Sequence, residues 1–127
     1  MLPVEKAPVF RELDFRKFKS IGKYIDSKTI RKGMANGYDH NFYLDEFNPK
    51  KAQVILKSDS RLMRIYTDYP CDQFYSENYG NPYKWIGLGD STNRSAVLEP
   101  QDDYLNREIL RPEEKYCHFF TYEFKKI

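Results

Sequence analysis

Near the end of the chain, large side chains recur at every second position. One set of alternating positions holds Tyr116, His118, Phe120, Tyr122 and Phe124. The positions between them hold Cys117, Phe119, Thr121 and Glu123. A period of two is typical of a β-strand, because successive side chains of a strand point to opposite faces of the sheet. The chain is also rich in aromatic residues, with 11 Tyr and 9 Phe, which favour pleated surfaces. The run therefore predicts a strand from Lys115 to Phe124.

Five shorter segments have a similar pattern and are bounded by turn-forming residues. They are Asn41 to Asp45, Ala52 to Ser58, Leu62 to Tyr69, Asp72 to Ser76, and Ser95 to Glu99. The short polar stretch from Lys57 to Arg61 predicts a hairpin turn, and Pro100 is predicted to end the fifth strand because proline cannot donate a ladder hydrogen bond. Six strands joined largely by turns predict an all-β fold of antiparallel sheets with almost no helix.

The first part of the chain has no sustained period. Residues 1–36 are predicted to be an irregular lead-in, with a helical turn or two between Ser20 and Lys32 and with Ser27 as an N-cap. Residues 37–127 are predicted to be β-rich. At 127 residues the whole chain, 1–127, is expected to form a single domain.

Charge and cysteine usage exclude several classes of partner. The 21 basic and 19 acidic residues are dispersed and give a net charge of +2, which predicts no nucleic-acid partner. No segment has the apolar length of a membrane span or of a signal peptide, so a cytoplasmic protein without a membrane partner is expected. Cys71 and Cys117 are then expected to be reduced, small core residues. Two cysteines and two histidines lack metal-ligand spacing, so neither a metal nor another cofactor is predicted.

Two carboxylates at strand ends are the strongest site candidates. Asp39 lies in Gly37-Tyr38-Asp39-His40-Asn41-Phe42, and Glu99 lies in Leu98-Glu99-Pro100-Gln101. An ionised carboxylate beside an apolar strand needs a hydrogen bond, an ion pair or a chemical role. Structural explanations compete with a functional one, since Asp39 fits a turn cap and Glu99 fits a charge that protects an edge strand.

The remaining polar strand residues favour structural roles. Gln73 on its own reads as a solvent-facing strand residue. His40 follows Asp39 directly, so alternation turns it to the opposite face, and a structural histidine is expected there. His118 lies among aromatic strand residues and is expected in the core or at its rim. The long irregular stretch from Gly80 to Asn93, which contains the only tryptophan, Trp85, is predicted to be functional or disordered.

Taken in order, several segments resemble the C-terminal portion of the galactose mutarotase (aldose 1-epimerase) family. The resemblance covers essentially the whole chain, and four motifs in sequence carry it. They are Asp14-Phe15-Arg16 with the following Ile21-Gly22-Lys23; Gly37 to Phe42; Ile65 to Pro70 with Gln73 to Ser76; and Glu99-Pro100-Gln101 with Leu110-Arg111-Pro112.

This resemblance implies part of a large β-sandwich with a sugar cleft, and an enzyme that interconverts the α and β anomers of free aldoses of the galactose or glucose type. In the family a glutamate takes the proton from the anomeric hydroxyl while a histidine protonates the ring oxygen. By position in the motifs, Glu99 is the expected base, and Asp39 and Gln73 are expected to bind sugar hydroxyls. With a sugar as ligand, Trp85 is the candidate for stacking on a sugar face.

The resemblance stops short of a complete catalytic set. In the family the catalytic histidine belongs to an N-terminal part, and neither His40 nor His118 falls in a segment that resembles it. The expectation is a truncated or split form that is weakly active or inactive alone, and that self-associates or pairs with a complementary N-terminal chain. The alternative is a non-catalytic carbohydrate-binding or structural remnant of the same fold. Whether the chain is an enzyme by itself stays open.

Overall fold

A computed structural model describes residues 4–32, 36–80, 92–107 and 109–127. The described chain is built from six strands in two antiparallel three-stranded sheets. The strands are β1 (Asp39–Tyr43), β2 (Val54–Lys57), β3 (Arg61–Thr67), β4 (Cys71–Tyr75), β5 (Val97–Gln101) and β6 (Phe120–Lys126). Two 3₁₀ helices, Ile21–Lys23 and Tyr104–Asn106, are three residues long. The predicted all-β class with almost no helix is confirmed.

The two sheets have the strand orders β1-β4-β5 and β2-β3-β6. The predicted hairpin joins β2 to β3, where Lys57 pairs with Leu62 and the Ser58 backbone N–H donates to the Arg61 carbonyl at 2.8 Å. On its other side, β3 pairs with β6 along its full length, from Arg61 opposite Lys126 to Thr67 opposite Phe120. The strand with the clearest alternation is therefore an edge strand.

All six strands differ from the sequence-based predictions by one or more residues at their ends, and two of these differences are explained by a contact or a position in the sheet. The last strand begins at Phe120 instead of Lys115, because the Phe119 N–H donates to the Asp68 carboxylate at 2.9 Å, just beyond the end of β3. The fifth strand runs through Pro100 to Gln101 instead of ending at Glu99. Because β5 lies at the edge of its sheet, one side of it has no neighbouring strand, and a residue without an N–H is tolerated there.

The contacts within the chain form two compact units. The first unit contains Met1–Asn41 and Gln73–Leu98, and the second contains Phe42–Asp72 and Glu99–Ile127. Strands β1, β4 and β5 contribute residues to both units, whereas β2, β3 and β6 belong entirely to the second.

An aromatic cluster forms the core of the first unit. The Tyr38 ring stacks on Phe74 with centroids 5.2 Å apart, and Phe15 packs edge-on against both rings. Ile30, from the turns that follow the first 3₁₀ helix, is also buried. The Ser27 hydroxyl accepts the Ile30 N–H at 3.2 Å, so Ser27 caps a short turn within an otherwise irregular lead-in. Phe15 of the lead-in thus covers Tyr38 and the strand residue Phe74.

In the second unit the fully buried residues include Ile65 and Thr67 on β3 and Cys71 on β4. Cys71 is a reduced core residue, as predicted. The prediction that Cys117 is also a core residue is wrong: Cys117 is exposed and lies in the irregular segment before β6, a strand whose residues are also exposed. No helix among the described residues is long and apolar enough to cross a membrane. A cytoplasmic location stays a prediction.

Candidate functional site

Two of the three predicted site residues are hydrogen-bonded to each other in the first unit. Asp39 is the first residue of β1, and Gln73 lies on the neighbouring strand β4. The Gln73 side-chain amide donates to the Asp39 carboxylate, with Nε2 and Oδ1 2.6 Å apart. Both residues are half-buried. The sequence alone does not reveal this contact, because the two partners are 34 positions apart along the chain.

The residues just before Asp39 are held by buried polar contacts. The Tyr38 backbone N–H donates to the Ser76 hydroxyl at 2.9 Å, and the Asn78 side-chain amide donates to the Tyr38 carbonyl at 2.8 Å. Tyr38, Ser76 and Asn78 are almost completely buried. At Gly37, a Cβ would lie 2.1 Å from the Asn78 Oδ1 atom, which leaves room only for glycine. The Gly-Tyr-Asp sequence therefore sets where β1 begins and fixes the backbone at Asp39.

His40 has a local structural partner. Its Nδ1 atom accepts the backbone N–H of Asp39 at 3.0 Å, so this ring nitrogen carries no proton. Burial lowers the pKa of His40, and the nearby Asp39 charge only partly opposes this. A neutral imidazole hydrogen-bonded to the backbone of the preceding residue supports the structural role expected from the sequence.

Glu99 lies in the second unit, at the centre of the edge strand β5, and its side chain is exposed. The segment after β5 is fixed by Asp103, whose carboxylate accepts the Leu105 N–H at 2.9 Å and the Tyr43 hydroxyl at 2.7 Å. The hydrogen bond to Asp103 raises the pKa of Tyr43 to about 12. These contacts anchor the chain close to Glu99. An exposed carboxylate on an edge strand is compatible both with a base that solvent-borne ligands can reach and with a charge that opposes edge pairing.

Asp72 is a candidate that the sequence-based selection missed. It lies on β4, next to β5, is only 3% exposed, and belongs to the same unit as Glu99. Its Oδ1 atom is buried and has no hydrogen-bond partner among the described residues. Burial, and secondarily the charge of Glu99, raise the pKa of Asp72 to about 7. The criterion that selected Asp39, an acid in or beside a strand with apolar residues, applies also to Asp72, which follows Cys71 and precedes Gln73 and Phe74.

His118 is at the rim of the second unit and not in its core. Its Nδ1 atom is 3.3 Å from the Asp68 carboxylate, and its Nε2 atom is 3.6 Å from Asp102. The Tyr69 ring stacks on the imidazole at 4.5 Å, and the Tyr116 hydroxyl donates to Asp102 at 2.9 Å. These contacts hold the segment that leads into β6, which is a structural role.

Within the described ranges, no cluster of three or more His, Cys, Asp and Glu side chains could hold a metal ion. Trp85, the aromatic residue considered for sugar stacking, and most of the long stretch around it lie outside the described residues.

The known proteins to which this chain is similar include galactose mutarotases and an aldose 1-epimerase. The chain is 34% identical to galactose mutarotase of Rattus norvegicus over 125 aligned positions, and 31% identical to that of Homo sapiens over 132. It is 33% identical to aldose 1-epimerase of Escherichia coli K12 over 131 positions. These alignments cover 87%, 94% and 87% of the chain, but only 34%, 37% and 36% of the relatives. The chain thus spans about a third of the length of these relatives. No protein-family model matches it.

Proposed function

This chain is a partial member of the galactose mutarotase (aldose 1-epimerase) family, and on that premise we propose that it contributes sugar-binding and proton-accepting groups for a free aldose. Asp39 and Gln73 bind sugar hydroxyls, and Glu99 accepts the anomeric proton. The hydrogen bond between Gln73 and Asp39 is the observation that carries the proposal, because it presents an amide and a carboxylate side by side on adjacent strands.

The Asp39 and Gln73 pair suits hydroxyl recognition chemically. A sugar hydroxyl both donates and accepts hydrogen bonds. A carboxylate offers about four acceptor positions, and an amide offers two donor hydrogens and a carbonyl acceptor. The mutual hydrogen bond orients both groups before a ligand arrives, so less rotamer freedom is lost on binding.

The reaction proposed for Glu99 is general-base catalysis of ring opening. The Glu99 carboxylate takes the proton of the anomeric hydroxyl, the electron pair left on O1 forms the C1=O1 carbonyl, and the bond from C1 to the ring oxygen breaks with its electrons going to that oxygen. An acid must give the ring oxygen a proton as that bond breaks. Rotation about the C1–C2 bond and reversal of these steps deliver the other anomer. Glu99 is exposed, so a substrate from solvent can reach it.

We propose that the acid is supplied from outside this chain. The Nδ1 atom of His40 accepts its backbone hydrogen bond, and His118 lies between two carboxylates and two tyrosines at the rim of its unit. Neither histidine lies in a motif resembling the family's catalytic histidine. The chain alone is therefore expected to be weakly active or inactive, since loss of a general acid costs roughly 10² to 10⁴ in rate.

A complementary N-terminal chain or a second copy is the proposed macromolecular partner. The edge strand β6 exposes Phe120, Tyr122 and Phe124, with 52%, 41% and 73% of their surface accessible. An edge strand with exposed aromatic side chains invites pairing with another strand. Sedimentation at rising concentration tests self-association, and Phe124→Lys is expected to weaken it.

A non-catalytic carbohydrate-binding or structural remnant is the second candidate. The observation in its favour is that the Gln73 to Asp39 hydrogen bond satisfies a half-buried carboxylate, which is a sufficient structural reason for both residues. Under this alternative Glu99 serves only to keep the edge of the sheet soluble.

Polarimetry of freshly dissolved α-D-glucose or α-D-galactose separates these candidates. Wild type is compared with Glu99→Gln and with Glu46→Gln, which makes the same chemical change at another exposed site. Any acceleration by wild type should disappear in Glu99→Gln and persist in Glu46→Gln. Acceleration that survives Glu99→Gln contradicts the role of Glu99, and saturable sugar binding without any acceleration favours the carbohydrate-binding alternative.

A further inference from the structure

A chain of polar contacts in the first unit joins the turn before β5 to the start of β1. Asn93 lies in that turn, and its Nδ2 atom donates to the Ser76 carbonyl at 3.2 Å and to the Asn78 Oδ1 atom at 3.3 Å. The Asn93 backbone N–H donates to the Glu77 carbonyl at 2.7 Å. Asn93 therefore contacts three successive residues that follow β4, and two of them, Ser76 and Asn78, hold Tyr38.

The backbone of Asn93 has a conformation that few side chains adopt. Its φ is +57°, in the left-handed region, which asparagine tolerates better than most residues. A residue persists in this region where the surrounding structure fixes it. The backbone and side-chain hydrogen bonds of Asn93 supply such a constraint.

Arg31 sets the direction of these hydrogen bonds. A guanidinium can only donate, and the Arg31 Nη2 atom lies 3.2 Å from the Asn93 Oδ1 atom. The Asn93 amide therefore points its oxygen toward Arg31 and its nitrogen toward Asn78. Arg31 is itself anchored, since it also donates to the Asp26 carboxylate at 2.9 Å and to the Asn36 Oδ1 atom at 2.6 Å.

The same direction continues to the residue before Asp39. The Asn78 Oδ1 atom accepts from Asn93 and from the Ser76 hydroxyl, so the Asn78 amide nitrogen faces the Tyr38 carbonyl, to which it donates at 2.8 Å. Asn78 and Tyr38 are fully buried. Because a peptide group is planar, fixing the Tyr38 carbonyl also fixes the Asp39 nitrogen. The chain of hydrogen bonds that begins at Arg31 thus ends on the peptide that enters β1.

We propose that Asn93 is a positioning residue for the sugar-binding pair: it orders the Asn78 amide and thereby keeps Asp39 in place for the Gln73 amide. This inference rests on the proposed function for the sugar ligand but not for the hydrogen-bond network. Members of such a network strengthen one another, so loss of one weakens the next. Groups that are ordered before a ligand arrives lose less freedom on binding. Loss of the Asn93 amide should therefore loosen the bond between Gln73 and Asp39 and weaken sugar binding.

Two substitutions at Asn93 break the network at different points. Asn93→Asp keeps the shape of the side chain and an oxygen for Arg31, but it turns a second oxygen toward the Ser76 and Asn78 oxygens, which are acceptors. Asn93→Gly removes the whole side chain and suits the positive φ, so it keeps the test valid if Asn93→Asp fails to fold. Glu77→Gly is the matched control, because Glu77 also has a positive φ, 50°, and contributes its backbone carbonyl, which the substitution keeps.

Hydrogen exchange of the Gln73 side-chain amide tests the network without sugar. It is measured by NMR on the ¹⁵N-labelled full chain, under conditions in which urea unfolding shows each variant to be folded. Asn93→Asp and Asn93→Gly should speed this exchange about 3- to 10-fold, the effect of losing one hydrogen bond, and Glu77→Gly should leave it unchanged. A purely structural role for Asn93 would lower the urea midpoint without changing the exchange. Unchanged exchange in the folded Asn93 variants overturns the proposal.

Titration of the same proteins with D-galactose separates this inference from the proposed function. A Kd about 3- to 10-fold weaker in the Asn93 variants, with the wild-type value in Glu77→Gly, supports both. Faster Gln73 exchange in the Asn93 variants, without saturable D-galactose binding by wild type, supports the network and contradicts the proposed function. Faster exchange with wild-type affinity for D-galactose means that Asn93 does not position the sugar-binding pair, and it overturns the proposal.

Discussion

The two polar pairs of this chain differ in how their charges are satisfied. In the first unit, Gln73 donates a 2.6 Å hydrogen bond to Asp39, so a carboxylate meets a matching donor. In the second unit, the Oδ1 atom of the buried Asp72 has no hydrogen-bond partner among the described residues, and the negative charge of Glu99 adds to the effect of burial in raising the pKa of Asp72. The first arrangement stabilises the fold whether or not a ligand binds. The second costs folding free energy, so a structural role explains it less well.

The largest expected effect is a pH dependence of stability caused by Asp72. Its pKa rises from 3.8 in the unfolded reference to about 7 in the fold, so the folded protein disfavours the ionised form. Below pH 4 Asp72 is protonated in both states and contributes nothing. As pH rises from 4 through 7 the stability falls, by up to about 4 kcal/mol at 1.36 kcal/mol per unit.

Urea unfolding at pH 5 and pH 8 measures this loss. Asp72→Asn should remove most of the difference and should be more stable than wild type at pH 8. An Asp72→Asn variant that retains the wild-type pH dependence would show that Asp72 ionises without a penalty, and the contrast between the two pairs would disappear.

The next largest effect concerns the backbone that positions Asp39. Gly37→Ala should destabilise the protein by about 1–3 kcal/mol, the usual cost of forcing an extra carbon into a packed site. The added Cβ would lie 2.1 Å from Asn78 Oδ1. Gly22→Ala is the matched control, because its Cβ would meet only the Ser20 hydroxyl at 3.7 Å. Equal urea midpoints for the two variants would refute the tight fit proposed at Gly37.

Replacing Gln73 by alanine should lower the stability of the protein, whereas Asp72→Asn should raise it at pH 8. Gln73→Ala is expected to cost about 1–2 kcal/mol, because it leaves the half-buried Asp39 carboxylate without this charge-assisted hydrogen bond. A double-mutant cycle with Asp39→Ala isolates the coupling in urea unfolding. A coupling near zero would mean that the hydrogen bond contributes nothing and that the two pairs are energetically alike.

The smallest expected effect is the change in stability at pH 8 caused by Glu99→Gln. Burial is the larger cause of the raised pKa of Asp72 and Glu99 the smaller, so Glu99→Gln should recover less stability than Asp72→Asn does. Glu46→Gln serves as the control in the same unfolding series. A gain from Glu99→Gln larger than that from Asp72→Asn would reverse the assigned order of causes.

The fold was largely predictable because strand periodicity is a local property. All six predicted strands are present, and the hairpin at Ser58 to Arg61 was recognised from its polar turn. The boundaries of β5 and β6 were predicted wrongly because they depend on residues that are distant in the sequence. The Asp68 carboxylate accepts the Phe119 N–H, so β6 begins later than predicted. The position of β5 at the edge of its sheet allows Pro100 to remain in the strand.

The candidate site was predictable only in part. The resemblance of the motifs identified Asp39, Gln73 and Glu99 as candidate site residues. It did not predict the hydrogen bond between Gln73 and Asp39. Asp72 was missed because its significance depends on burial and on the charge that the neighbouring strand brings close, and neither can be read from strand alternation. An acid inside an apolar strand segment was the available signal.

The central claim, that Asp39 and Gln73 bind sugar hydroxyls, is tested most directly by the NMR signals of the Gln73 side-chain amide. D-galactose is titrated into ¹⁵N-labelled wild type and into Asp39→Asn, which preserves the shape of the side chain. The account predicts a saturable shift of the Gln73 amide in wild type that is lost in Asp39→Asn. Absence of a saturable shift in wild type, or an identical shift in both proteins, would contradict it.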